Sequence, residues 1–285
     1  MPLKVGAHVS IAKSLDLAID RAVEIGADCI QIFGSAPQSW QPFIFSLESV
    51  DEFDKKREKA GIGPVFLHAI YLINLASSNP FILGKSIGSL EQYLKFGKVI
   101  GVEGVIFHVG SHKGKGFEAV VEQVVEAINQ ILLRTEGCGK LILENSAGAG
   151  GIIGAKFSEL GEIVKAVNSP RIGVCLDTAH AFESGYDLRT KTGLDKALAE
   201  FDQQVGLEKL VCIHANDSKT ALGSNRDRHD NIGEGEIGLK GFKNIVNHPD
   251  IRELPFIIET PGFDDAGPDR KNIETLRNLV ANPLS

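Results

Sequence analysis

A chain of 285 residues carries eight histidines and 37 acidic residues, and some of them recur at one kind of position. His68, His108, Glu144, Asp177, His214 and Glu259 are each the first His, Asp or Glu after a short apolar, β-branched run. His, Asp and Glu together make up 45 (8 + 37) of 285 residues, about one in six, so six successive runs closing this way exceed what composition predicts. Three further donors follow: His180 in "DTAH", and Asp227 and His229 in "NRDRHDNIGEG". Carboxylates gathered at one place repel unless something neutralises them, and metal ions do so. Imidazole and carboxylate without thiolate suit Zn²⁺, with Mn²⁺ and Fe²⁺ as alternatives, and disfavour Ca²⁺ and Mg²⁺. Five imidazoles and four carboxylates are too many for one tetrahedral ion and fit two or three. A carboxylate such as Glu144 can bridge two ions, a constellation suited to hydrolysis of a phosphate ester. Metal-assisted isomerisation of a sugar is the other chemistry such a set allows.

The elements that must position these residues are legible as a rhythm. Apolar runs begin at Lys4, Cys29, Pro64, Gly104, Lys140, Ile172, Lys209 and Pro255. Four to six apolar residues without polar alternation suit strands buried on both faces, as in a parallel sheet. Helical patterns lie between them. Val120, Val124, Ile128, Ile131 and Leu132 fall on one helical face, Ser14–Gly26 reads as a helix with a Ser/Asp cap and a glycine stop, and Ile273, Leu276 and Val280 fall together near the end. Eight strands alternating with helices predict a single (β/α)8 TIM barrel over residues 1–285, with its active site at the C-terminal rim of the strands. A doubly wound open sheet is the second architecture, but no GxGxxG or GxxxxGK[ST] supports its nucleotide-binding forms.

The bulk properties narrow the class. A net charge of −7 argues against a generally basic nucleic-acid surface, although not against positive charge supplied by bound metal. No apolar run approaches the roughly 20 residues of a membrane span, and the opening residues lack a secretory layout. Cys29, Cys175 and Cys212 sit inside apolar runs, and no CxxC spacing occurs; the expectation is a cytoplasmic protein with reduced thiols. His112 and His248 read as loop residues.

Seven segments in order, "GAHVS", "YLINLASSN", "LENSAGAG", "LDTAHAFESGYD", "HANDSK", "RHDNIGEGEIG" and "IIETPG", closely resemble the motifs of the endonuclease IV family of apurinic/apyrimidinic endonucleases. The resemblance implies three zinc ions per chain: one on His68, His108 and Glu144, a second on Glu144, Asp177, His214 and Glu259, and a third on His180, Asp227 and His229. It implies hydrolysis of the phosphodiester 5′ to an abasic site in double-stranded DNA, leaving a 3′-hydroxyl and a 5′-deoxyribose phosphate. It also implies trimming of blocked 3′ ends in base excision repair. In this picture a hydroxide shared by the first two zincs attacks phosphorus, with Glu144 as the catalytic carboxylate that orients it. DNA contacts are expected from His8, Gln38, Tyr71, Ser111, Asn216 and Lys219, and the enzyme is expected to act as a monomer. Glycine-bearing loops at "NSAGAGG" and "HVGS" are further candidates to approach phosphates.

Three positions depart from the family pattern. Lys13 and Ser14 stand where many members carry two glycines, and Gln38 stands where relatives place an arginine wedged into the DNA. Two competing functions are a sugar isomerase or epimerase, which needs no third donor set, and a DNA-binding protein without catalysis, which needs no donors. Asp227 and His229 weigh against the first, and the nine intact donors against the second.

Overall fold

The computed structural model describes residues 3–36, 38–41 and 45–281. Eight parallel strands close into a barrel: β1 (Val5–His8), β2 (Ile30–Phe33), β3 (Val65–His68), β4 (Gly104–Phe107), β5 (Lys140–Glu144), β6 (Ile172–Asp177), β7 (Leu210–His214) and β8 (Phe256–Ile258). Each pairs with its neighbours in chain order, and β8 closes against β1 through Val5–Phe256, Gly6–Ile257 and Ala7–Ile258. All eight expected strands are present, and the open-sheet alternative is excluded by this closure.

Helices surround the barrel: α1 (Leu17–Ile25), α2 (Leu47–Ala60), α3 (Pro80–Val99), α4 (Val121–Arg134), α5 (Phe157–Val167), α6 (Thr178–Glu183), α7 (Lys191–Gln204), α8 (Gly238–Asn247) and α9 (Arg270–Asn278). In α4 the stripe Val124, Ala127, Ile128, Ile131 and Leu132 is buried, as its spacing requires. In α9 Ile273 and Leu276 are buried, while Val280 lies past the helix end and only packs against the core. The start of α1 differs from expectation. Asp16 precedes the helix but makes no capping hydrogen bond, because its carboxylate accepts instead from Ser14 Oγ and from Lys56 Nζ on α2. Gly26 ends the helix in the left-handed conformation, as expected.

Inside the barrel, Cys29, Phe66, Ile106, Ile142, Cys175, Cys212 and Ile257 form a packed plug separate from the core beneath the helices. The cysteines are therefore core residues with free thiols. This plug sets the height of the functional layer. Side chains alternate across a strand, so the residue two positions further on points the same way, one layer higher. Those residues are Gln31, His68, His108, Glu144, Asp177, His214 and Glu259, and His8 occupies the same level on β1.

Candidate metal centre

Seven strands thus deliver six candidate ligands and a glutamine to one layer, with His8 beside them from β1, and the βα loops bring the rest. His180 lies on α6, the short helix begun by Asp177, whose carboxylate accepts from the His180 N–H at 2.9 Å. His229 lies in a two-residue antiparallel ribbon, paired with Ser218 while Asp230 pairs with Asp217. The ribbon holds His229 half-buried, while Arg226, Asp227 and Arg228 before it are exposed. Asp217 holds the following glycine turn by accepting from the N–H groups of Gly233 and Ile237, both at 2.9 Å.

Three donor sets result, each with its ligand atoms within 4.8 Å of one another: His68, His108 and Glu144; Glu144, Asp177, His214 and Glu259; and Asp177, His180 and His229. The first two are the expected sets. In the third, Asp177 stands with the two histidines, and Asp227 approaches from the solvent side, 3.3 Å from His180 Nε2 and 3.5 Å from His229 Nε2. Asp227 remains 57% exposed because it covers the set from outside. Glu144 is buried at the centre and divides the histidines between its oxygens. Oε2 lies 3.1 Å from His68 and 3.5 Å from His108, and Oε1 lies 3.0 Å from His214 and 3.3 Å from His180.

The histidines are presented in ligand-like tautomers. His68 Nδ1 contacts the Ala69 carbonyl at 2.7 Å and His180 Nδ1 the Asn145 carbonyl at 3.0 Å. A carbonyl only accepts, so each Nδ1 carries a proton, which leaves Nε2 of His68 to face Glu144 and Nε2 of His180 to face Asp227. The Nε2 atoms of His180 and His229 are buried with no hydrogen-bond partner, an arrangement that costs free energy unless a cation takes the lone pairs. Donor chemistry, burial and these orphaned nitrogens all fit divalent metal.

Electrostatics agree. Burial pushes the Glu144 carboxyl upward, but the imidazoles of His108, His214 and His180 outweigh it and hold Glu144 well below the usual carboxylate range. Glu259 is held low in the same way, burial being overcome by His214 and His8. Burial alone would lower His214; Glu259 and Glu144 reverse this and raise it to about 10. Burial also opposes the charging of His180, and Asp177, Asp227 and Glu144 outweigh it, so its imidazole titrates well above the ordinary value. Burial dominates at His8 and His108, whose values fall.

The centre opens into a cavity of about 320 Å³ walled by Phe33, Tyr71, His8 and Pro268. A groove of about 600 Å³ adjoins it, lined by Tyr71, Asn74, Ser111, Lys113, Ser146 and Asp227 among others. Among the residues expected at DNA, His8 and Tyr71 wall the cavity, Ser111 lines the groove, and Gln38 and Lys219 are exposed on loops. Asn216 lies elsewhere: fully buried, it donates to Asp177 Oδ2 at 2.7 Å and accepts from the Glu259 N–H at 2.7 Å, bracing two candidate ligands. The N–H groups of Ser111 and Ser146 are taken up internally, by Asn74 Oδ1 at 3.2 Å and the Gly154 carbonyl at 3.0 Å. Gly110 sits so close to Asn74 that a Cβ there would meet its Cα at 2.6 Å, which locks the "HVGS" and "YLIN" loops together.

Two residues escaped the sequence reading. Gln31 hides inside the apolar run "CIQIF", where its polarity was the only signal. Glu183, at the end of α6, is buried and grips the Asp227–His229 loop: Oε1 accepts from Ser218 Oγ at 2.6 Å, Thr220 Oγ1 at 3.2 Å and the Arg228 N–H at 3.1 Å.

A closed eight-stranded barrel with this rim is a TIM-barrel enzyme, and the xylose isomerase-like TIM barrel family matches residues 19–279. Probable endonuclease 4 of Halothermothrix orenii is 43% identical over 276 residues, 96% of this chain and 99% of that protein. The crystal structure of endonuclease IV from Thermus thermophilus superposes with a TM-score of 0.86 at 34% identity, covering 97% of this chain and 98% of that one. The chain belongs to the endonuclease IV family. A D-tagatose 3-epimerase-like protein, at 19% identity and a TM-score of 0.74 over 97% of each chain, shares the fold alone. No helix among the described residues is long and apolar enough to cross a membrane.

Proposed function

We propose that residues 1–285 act as one DNA repair endonuclease domain that depends on three zinc ions. The enzyme hydrolyses the phosphodiester 5′ to abasic sites in double-stranded DNA, leaving a 3′-hydroxyl and a 5′-deoxyribose phosphate, and also trims blocked 3′ ends. It works as a cytoplasmic monomer. The observation that carries this reading is the pair of shared carboxylates. Glu144 belongs to the first and second donor sets and Asp177 to the second and third, so the sets form one connected cluster. A sugar isomerase has no use for the third set.

His68, His108 and Glu144 would hold one ion; Glu144, Asp177, His214 and Glu259 a second; and His180, His229 and Asp227 a third, with Asp177 alongside. Bound there, zinc supplies Lewis-acid charge to a phosphate and an activated nucleophile from water. Glu144, buried with one oxygen toward each half of the cluster, would serve as a ligand of both the first and the second ion and would orient the attacking group. Tyr71, exposed above His68 and His108 with ring centroids 6.0 and 6.4 Å away, supplies an aromatic face for the gap left by the missing base. Gln38, Ser111, Lys219 and His8 contact the DNA strands. Local positive charge from the metals offsets the chain's −7.

The test is incision of an end-labelled duplex bearing one abasic site, beside an undamaged duplex. The expected product is a single cut 5′ to the lesion with an extendable 3′ end, abolished by chelator. Glu144→Gln is expected to retain DNA binding within a few-fold and to lose cleavage by at least about 10²–10³-fold. Equal cutting of undamaged DNA, or near-normal activity of Glu144→Gln, contradicts the proposal.

A further inference from the structure

Gln31 stands at the level of the ligands, fully buried on β2, and its amide has two different neighbours. On one side its Nε2 lies 2.5 Å from Glu259 Oε1 and 2.8 Å from His8 Nδ1; on the other its Oε1 lies 2.8 Å from His214 Nε2. Hydrogen-bond chemistry decides which end of the amide is which. A carboxylate only accepts, so the NH₂ group must face Glu259 and the carbonyl oxygen must face His214. That oxygen also only accepts, so His214 Nε2 must carry a proton. Its Nδ1 is then the atom turned to the cluster, 3.0 Å from Glu144, 3.5 Å from Glu259 and 3.8 Å from Asp177. His214 is thereby opposite to His68 and His180, which offer Nε2 and are held at Nδ1 by backbone carbonyls.

We propose that Gln31 is a positioning residue of the metal centre: its amide fixes the ring orientation and Nδ1 donor of His214 and, through the same NH₂ group, the carboxylate of Glu259. One amide thus orients two ligands of the second donor set. This inference rests on the metal reading above. Partners that hold a ligating histidine at its other nitrogen typically change metal affinity by about 10–100-fold when removed. Backbone carbonyls hold His68 and His180 and cannot be removed by substitution, whereas Gln31 can. Gln31→Met keeps the volume of the side chain and removes both polar ends. Gln31→Glu keeps an acceptor for His214 but sets a second carboxylate against Glu259.

The experiment is ¹⁵N-histidine NMR on the full chain, metal-free and loaded with ¹¹³Cd²⁺, together with Zn²⁺ competition titration against a chromophoric chelator. In the wild type, the His214 Nε2–H is expected as a slowly exchanging downfield signal in both forms, with cadmium coupling on Nδ1. In Gln31→Met the signal is expected to exchange fast, and one zinc equivalent to weaken about 10–100-fold while the others are held. Gln31→Glu is expected to weaken the same equivalent. Cadmium coupling through Nε2 of His214 in the wild type overturns the inference without any variant. So does a Gln31→Met protein with an unchanged Nε2–H signal and unchanged zinc titration. A wild type that shows the protected Nε2–H but no cadmium coupling on any histidine refutes the metal reading, and with it the positioning role of Gln31, while leaving the Gln31–His214 bond intact.

Discussion

His180 and Asp227 meet across the rim of the barrel, Oδ2 of the acid 3.3 Å from Nε2 of the imidazole, although one comes from a helix after β6 and the other from a loop after β7. The contact closes the third donor set from the solvent side, where His229 Nε2 stands 3.5 Å from the same carboxylate. His229→Ala removes a ligand from this set and leaves the other two sets whole. Its expected zinc content falls from three to two per chain, with incision of abasic DNA reduced by about 10²-fold or more. Unchanged metal content by elemental analysis would remove His229 from the centre.

The loop that carries both residues is held by Glu183. Glu183→Ala strips the acceptor from Ser218, Thr220 and the Arg228 N–H, and losing the buried Ser218–carboxylate bond costs about 1–3 kcal/mol. The expected result is a lower melting temperature and faster loss of one zinc to chelator, the remaining two being lost at the wild-type rate. Glu183→Gln keeps an acceptor oxygen and removes a carboxyl whose pKa burial already raises, so it is expected to behave nearly as wild type. If the two variants lose metal alike, the grip on the loop does not depend on this oxygen.

Much of this centre was legible because a strand has period two. His68, His108, Glu144, Asp177, His214 and Glu259 each stand two residues beyond an interior apolar side chain, so ending an apolar run on a donor is the linear trace of one spatial layer. Gln31 belongs to that layer but escaped, because the run continues through Ile32 to Phe33 and hides the polar residue. Asn216 was misplaced for a different reason. Its DNA contact was expected from the motif "HANDSK" alone, and only tertiary structure shows it turned back between Asp177 and Glu259. The third set depends on the two-residue ribbon, too short to leave any periodic signal.

The metal-free protein should reveal the centre through pH. His214 titrates near 10 when folded because Glu259 and Glu144 outweigh its burial, against an ordinary value of 6.5. A folded value above the unfolded one means the stabilisation is fully present below about pH 6.5 and is lost as pH rises toward 10. Chelator-treated protein is therefore expected to lose several degrees of melting temperature between pH 6.5 and 10. Zinc-loaded protein, whose imidazole is committed to the ion, should change much less over that window. Parallel pH profiles of the two forms, measured by thermal unfolding, would contradict the placement of His214 among the ligands.

Lys13 stands in the region where the family resemblance leads one to expect glycines, and its φ is +78°, in the left-handed region that penalises a Cβ. Lys13→Gly relieves about 1–2 kcal/mol of strain and returns about 0.4–1 kcal/mol through the greater freedom of the unfolded chain. A net gain of about 0.5 kcal/mol is expected in urea unfolding, with zinc content and incision unchanged. A loss of stability would show that the Lys13 side chain contributes more than its backbone conformation costs.

Stepwise return of zinc to chelator-stripped protein, with incision of a single-lesion duplex followed at each equivalent, joins the metal set to the chemistry. Because Glu144 and Asp177 tie the three sets into one cluster, incision is expected to stay low through the first equivalents and to recover fully only as the third is bound. Full recovery at one equivalent, or incision undiminished by stripping, would contradict a trinuclear active centre.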